Sequence, residues 1–216
     1  MSHRSPSRPG TRAFRSKIRA SVVVVAVACA GHATGAWAYG SALACAPRVT
    51  SATFARWLDP AQYFPASNGG FEQGSQNWKL GVGAVVGSGN EPFHVNGATG
   101  THSLRLYPGA SAESRTACVA MGEPTVRLLV DRPRVPGAVL VIDAAVHNGS
   151  TGSTLHTRVR IVAGTTNFGW APTPQIVIPN VLGGVAPEDL TLHFTTEGAP
   201  ATWSLDDISV DPFKSY

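Results

Sequence analysis

Charge is scarce in this chain of 216 residues: Asp, Glu, Lys and Arg together make up 14% of it. There are only three cysteines. No apolar run reaches the roughly 20 residues that a membrane-spanning helix needs. Beyond position 38, no stretch of ten or more residues carries an apolar stripe at the 3.6-residue helical period, which excludes a helical bundle. Local motifs for several chemistries are missing too. There is no G-x-S-x-G elbow, no phosphate loop, no Cys–His nucleophile pattern and no H-x-x-x-H or H-x-H metal spacing. What is abundant is Gly (23) and Pro (16), a composition that suits many short strands joined by tight turns.

Residues 1–38 read as a secretory signal. Arg4, Arg8, Arg12, Arg15, Lys17 and Arg19 form a basic region with no acid, and an apolar run follows from Ser21 to Ala30. Small residues then lead to Ala36-Trp37-Ala38, an A-x-A exit of the kind signal peptidase reads. An uncleaved membrane anchor is the alternative. Ala42-Leu43-Ala44-Cys45 resembles a lipobox, but its Leu sits one place too late.

Removing the signal changes the charge argument. The whole chain is +4, but six of its 17 basic residues and none of its 13 acids lie in the signal, so the remainder is near −2. No basic patch with interleaved aromatics survives there, and nucleic acid is not an expected partner. Cys29 also goes with the signal, leaving Cys45 and Cys118. Outside the cytoplasm an even pair is most simply one disulfide, with two free thiols as the alternative. The bond would close a loop of about 74 residues, worth on the order of 4 kcal/mol.

The remaining chain divides into an N-terminal arm over 39–66, a domain over 67–212 and a short tail over 213–216. The arm carries Phe54, Trp57, Tyr63 and Phe64, and so is expected to pack across the domain rather than trail free. Beyond it the apolar period is two. Leu104 and Leu106, Val126 to Val130, Leu155 to Ile161, and Leu190 to Phe194 each alternate with polar residues, as half-buried strands do. Trp78–Val86 and Val139–Val146 are less polar and read as central strands. Ile176–Pro179 reads as a short edge strand. The last run, Trp203 to Val210, slips phase between Asp206 and Asp207, which implies a bulge. The fold expected is an all-β antiparallel sandwich, a jelly roll.

Several segments carry a resemblance. Asn68-Gly-Gly-Phe71-Glu72, then Trp78, then Gly100-Thr-His-Ser-Leu104-Arg-Leu106, and finally Trp203-Ser-Leu-Asp-Asp-Ile-Ser-Val210 resemble the opening, middle and closing strands of carbohydrate-binding modules with the galactose-binding-like jelly-roll fold. The whole chain is similar to exported actinobacterial proteins. The resemblance implies a structural calcium ion in many relatives, which maps here onto Glu72 with Asp206 or Asp207. Calcium takes six to eight oxygen ligands, and these residues supply that donor type.

Sugar binding needs exposed aromatic faces with a few polar groups beside them. Trp170, in a polar, glycine-bearing loop, is the first candidate, and Tyr107 the second; Trp78 and Trp203 belong to strand patterns and read as core. Glu91 is a carboxylate that a glycosidase would have to pair with another, but no local motif singles out a pair. Asn148-Gly-Ser150 matches a glycosylation triplet. The expected function is therefore a secreted, non-catalytic β-sandwich that binds carbohydrate or cell-wall glycan. The alternative is a structural or surface-interaction domain with no sugar ligand.

Overall fold

A computed structural model describes Cys45 and residues 48–119, 125–178 and 188–211. All lie within one unit, Ala38–Tyr216. The signal, the tail and residues 179–187 fall outside the described residues. The period-two pattern gives two antiparallel sheets packed face to face, the sandwich expected.

The first sheet contains β1 (Phe64–Pro65), β3 (Ala84–Ser88), β4 (His102–Leu106), β7 (Thr125–Arg132), β10 (Gly169–Pro172), β11 (Ile176–Val177) and β13 (Trp203–Asp211). Its main order is β10-β7-β13-β4-β3, with β1 on β13 and β11 on β7. The second contains β2 (Trp78–Leu80), β5 (Ser111–Ser114), β6 (Ala117–Val119), β8 (Ala138–Asn148), β9 (Ser153–Val162) and β12 (Glu188–Gly198), in the order β2-β5-β12-β8-β9, with β6 on β12. One apolar core fills the space between them. Leu104, Leu128 and Trp203 come from one side, and Leu140, Ile142 and Phe194 from the other.

Trp78–Val86 is not one central strand. It breaks at Gly81 and Gly83 into β2 and β3, which stand at the ends of the two different sheets. The glycines explain the crossing. A Cβ on Gly81 would lie 2.2 Å from the Ser111 hydroxyl oxygen, and Gly83 has φ +79°, a backbone that side chains resist.

The closing strand bulges where its phase slips. Its register against β7 shifts between Asp206 and Ser209, and Asp207 takes φ 49°. The extra residue returns Ile208 and Val210 to the core face that Trp203 and Leu205 already share. The opening turn is built against this bulge. Ala66 N–H donates to the Ile208 carbonyl at 2.8 Å, and Ile208 N–H donates to the Gly69 carbonyl at 3.1 Å. A Cβ on Gly69 would sit 2.5 Å from the Ile208 carbonyl oxygen. Gly69→Ala is therefore expected to cost about 1–3 kcal/mol through overpacking against backbone, read as a lower melting temperature. An unchanged melting temperature would contradict this packing.

The arm straps the outer face of the first sheet. Phe54 and Tyr63 are buried there on Leu129 of β7, with Trp57, Phe93 and Trp170 packed around them. Beneath the strap, Arg127 pairs with Asp59, and the Tyr63 hydroxyl donates to the same carboxylate at 2.7 Å. Burial tends to raise the Asp59 pKa, but hydrogen bonds from Tyr63 and Arg127 outweigh it and hold the group below its usual range. Cys45 and Cys118 form the disulfide, with Cα atoms 5.7 Å apart, so the arm's beginning is tied to β6.

Candidate functional site

The two sandwich faces differ in what they offer a ligand. On the second sheet, the outward positions of β8, β9 and β12 carry no Trp, Tyr or Phe. Charges of both signs stand there in cross-strand register. Lys79, Glu113, His193, Asp143 and Arg158 lie directly opposite one another in successive strands. Such a face has no stacking platform for a sugar ring.

The first sheet's outer face is different. Just beyond the strap, its register sets Trp170 opposite Asp131, Asp131 opposite Ser204, Ser204 opposite Arg105 and Arg105 opposite Val85. Directly opposed side chains on one face lie about 5 Å apart at Cβ. All but Val85, which is exposed, are half-buried. Tyr107, two residues past Arg105, continues on the same face, since strand side chains alternate. Its N–H donates to the Gly83 carbonyl at 2.9 Å, which extends the pairing, and the residue is 44% exposed. The two aromatic candidates therefore share one face. They flank a strip of carboxylate, hydroxyl and guanidinium groups that crosses from β10 to β4, about 14 Å. Burial raises the Asp131 carboxyl above its usual range. Trp170 is half-buried because its inner part rests on the strap's aromatic cluster, which also fixes its orientation.

Phe93 closes one side of the strip. Its ring meets Trp57 edge to face, with centroids 4.9 Å apart. The loop that carries it is folded around Glu91, whose carboxylate accepts from the backbone N–H of Phe93 and, at 2.7 Å, of Val95. Glu91 is completely buried, and its own N–H donates to Asp206 Oδ2 at 3.1 Å. Asn96 Nδ2 donates to Asp207 Oδ1 at 2.8 Å. The loop is thus docked on the bulge through three buried acids. Burial first, then the charge of Asp207, pushes the Asp206 pKa up to about 8. Burial, with the hydrogen bond and charge of Glu91, pushes Asp207 up to about 7. A trio this enclosed cannot flank a glycosidic bond as hydrolysis requires.

Glu72 is not hydrogen-bonded to this trio, although its charge helps to raise Asp207. Its carboxylate accepts from the backbone N–H groups of Thr101 and His102 at 2.7 and 2.8 Å. The slight burial that raises its pKa is outweighed by these donors, which hold it below the usual range. As a calcium set, the acids on the bulge fit in donor chemistry, all being hard oxygens with no cationic side chain in ion-pair contact among the described residues. No three His, Cys, Asp or Glu side chains among the described residues converge on one point as a metal would require.

Trp203 and Trp78 are in the core, as their strand patterns indicate. Asn148 is buried. It donates to Glu188 at 3.0 Å and caps the backbone of Ser150 and Thr151, so its amide is not presented for glycosylation. Asp131, Ser204 and Arg105 escape a reading of the sequence because each is only the polar member of its own alternating strand. Their juxtaposition is a matter of strand order. The nearest signal is the exposed half of that alternation.

No protein-family model matches the chain, and no curated protein matches it. Among solved structures, it is similar to TmCBM61 in complex with β-1,4-galactotriose, at 16% identity over 67% of this chain and 95% of that one, with a TM-score of 0.41. It is similar to the CBM22-1 xylan-binding domain of Paenibacillus barcinonensis Xyn10C at 16% identity, over 68% and 93%, with a TM-score of 0.45. It is also similar to a family 16 carbohydrate-binding module at 18% identity, over 67% and 96%, with a TM-score of 0.41.

Proposed function

We propose that this chain is an exported, non-catalytic β-sandwich that binds a polysaccharide or cell-wall glycan along the Trp170–Tyr107 strip. One observation carries the reading: two part-exposed aromatics flank a row of polar side chains on the same sheet face. An aromatic takes the C–H face of a sugar ring, and the polar groups between fix its orientation. Export is supported by the N-terminal sequence and by a disulfide, which persists in oxidising compartments. Among the described residues, no helix is long and apolar enough to cross a membrane.

The test is a glycan array probed with the purified protein, followed by titration of the best ligand. Trp170→Ala is expected to weaken binding about 20- to 30-fold, the loss of an aromatic contact of about 2 kcal/mol. Tyr107→Ala should weaken it less. Binding that survives Trp170→Ala unchanged would move the site elsewhere. The strap itself favours a second reading, a structural domain without a sugar ligand, because it already covers the middle of the same face at Leu129. Binding to no glycan on the array decides for that reading.

For the structural calcium ion implied by the resemblance on Glu72 with Asp206 or Asp207, we propose Glu91 in place of Glu72, which Thr101 and His102 already hold; the three acids do not converge in this structure, so binding would have to draw them together. What supports this is the burial of three acids without a cation beside them. Bound there, the ion would neutralise charge and hold the 90–97 loop to the bulge.

A further inference from the structure

The exposed arginines near the strip form no ion pair among the described residues. Arg134 stacks its guanidinium 3.5 Å from the Phe168 ring centre, on the segment leading into Trp170. Arg56 lies 4.4 Å from the centre of the Phe93 ring, on the strap side. Arg132 follows Asp131 on β7 and so leaves from the opposite face of the sheet; it gives its two terminal nitrogens to neutral oxygens, the Asn167 side chain and the Pro172 carbonyl, and its Nε is buried without a partner. Arg105 donates to the Ser88 carbonyl. The ion pairs among the described residues include none of these four. The contrast is with the opposite sheet, where Arg158 faces Asp143 and Arg160 pairs with Glu197. On the strip side the acids are Asp131, itself half-buried, Asp59, already held by Arg127, and Glu91, Asp206 and Asp207, all buried beneath the 90–97 loop and out of reach of a ligand.

We infer that the strip selects an anionic polysaccharide, one whose sugars carry carboxylates or sulfates, with Arg56 and Arg134 receiving the charged groups while Trp170 takes the ring. This rests on the glycan reading above and names its ligand class. Guanidinium is suited to the task because its planar fork matches a carboxylate or sulfate edge with two hydrogen bonds. The rest of the chain beyond residue 38 is close to neutral, so the attraction is local rather than a general affinity for polyanions.

The experiment is affinity electrophoresis of the full chain through gels holding polygalacturonate, its carboxyl-reduced neutral form, dextran sulfate, dextran, or sheared DNA. The inference predicts about tenfold stronger retardation by polygalacturonate than by its reduced form, falling as salt is raised. An Arg56→Gln/Arg134→Gln double variant, changed at two exposed positions that the fold does not need, should erase most of that ratio. Dextran sulfate tests sulfate as the source of charge; retardation by it and not by polygalacturonate would assign the arginines to sulfated glycans. Equal retardation by both forms of polygalacturonate overturns the inference and leaves glycan binding standing. Retardation by DNA as strong as by the acidic glycans overturns it in favour of unspecific polyanion binding. Retardation by no matrix overturns both it and the glycan reading.

Discussion

In calcium-free buffer the protein is expected to be less stable at pH 8 than at pH 5, by about 2 kcal/mol. The cause is the acidic trio under the 90–97 loop. Asp206 and Asp207 titrate near their ordinary value of 3.8 when unfolded, but at about 8 and about 7 when folded. A carboxyl with a raised folded pKa stabilises fully below its unfolded pKa, and that contribution is lost as pH rises through the folded value. One pKa unit is worth about 1.4 kcal/mol. Taking half of each shift, and counting only what is lost between pH 5 and pH 8, leaves about 2 kcal/mol, a drop of roughly 4–8 °C in melting temperature for a domain of this size. Asp59 and Glu72, with lowered pKa values, act in the opposite sense, and their contribution is lost only as pH falls toward 4 and below. Between pH 5 and 8 the largest shifts are those of Asp206 and Asp207, and the raised Asp131 and Asp189 carboxyls act in the same sense. Calcium at millimolar concentration should abolish the loss at pH 8, because the ion replaces the protons. A melting temperature flat across this window would contradict the buried trio. One that falls with pH but ignores both calcium and EDTA would remove calcium from it.

Removing the Cys45–Cys118 disulfide is expected to cost about 4 kcal/mol. The bond spans 73 residues of sequence, and closing so long a loop restricts the unfolded chain strongly. The loss should not be uniform. The cross-link holds the start of the strap, so reduction should loosen the strap before the sandwich, exposing Tyr63 and Leu129 first. Denaturant titration of a Cys45→Ser/Cys118→Ser variant reads the total, and hydrogen exchange reads the order. Two free thiols in mass spectrometry of the unreduced protein would contradict the bond itself.

The strands were legible in the sequence because alternation is a local property. β4, β7, β9, β12 and β13 follow from it, and the phase slip at Asp206-Asp207 placed the bulge. What alternation does not carry is partnership. The run from Trp78 to Val86 looked continuous, since two glycines are too short a signal to show a change of sheet. Glu91 lies 115 residues from Asp206, and nothing near either residue announces the other. The site shows the same division. Trp170 and Tyr107 stood out as aromatics in polar surroundings, whereas Asp131, Ser204 and Arg105 acquire meaning only from the order β10-β7-β13-β4. The trio and the strip are also linked. The loop that Glu91 organises presents Phe93 to the aromatic cluster on which Trp170 also packs, so alkaline, calcium-free conditions should weaken ligand binding along with stability.

The most direct test of a glycan site on this face is amide chemical-shift mapping by NMR, with the oligosaccharide that binds best on the array. The shifts are predicted to concentrate at Asp131, Trp170, Ser204 and Arg105, and to fall away across the second sheet. Shifts confined to the outer face of β8, β9 and β12, with Trp170 and its neighbours silent, would contradict the account.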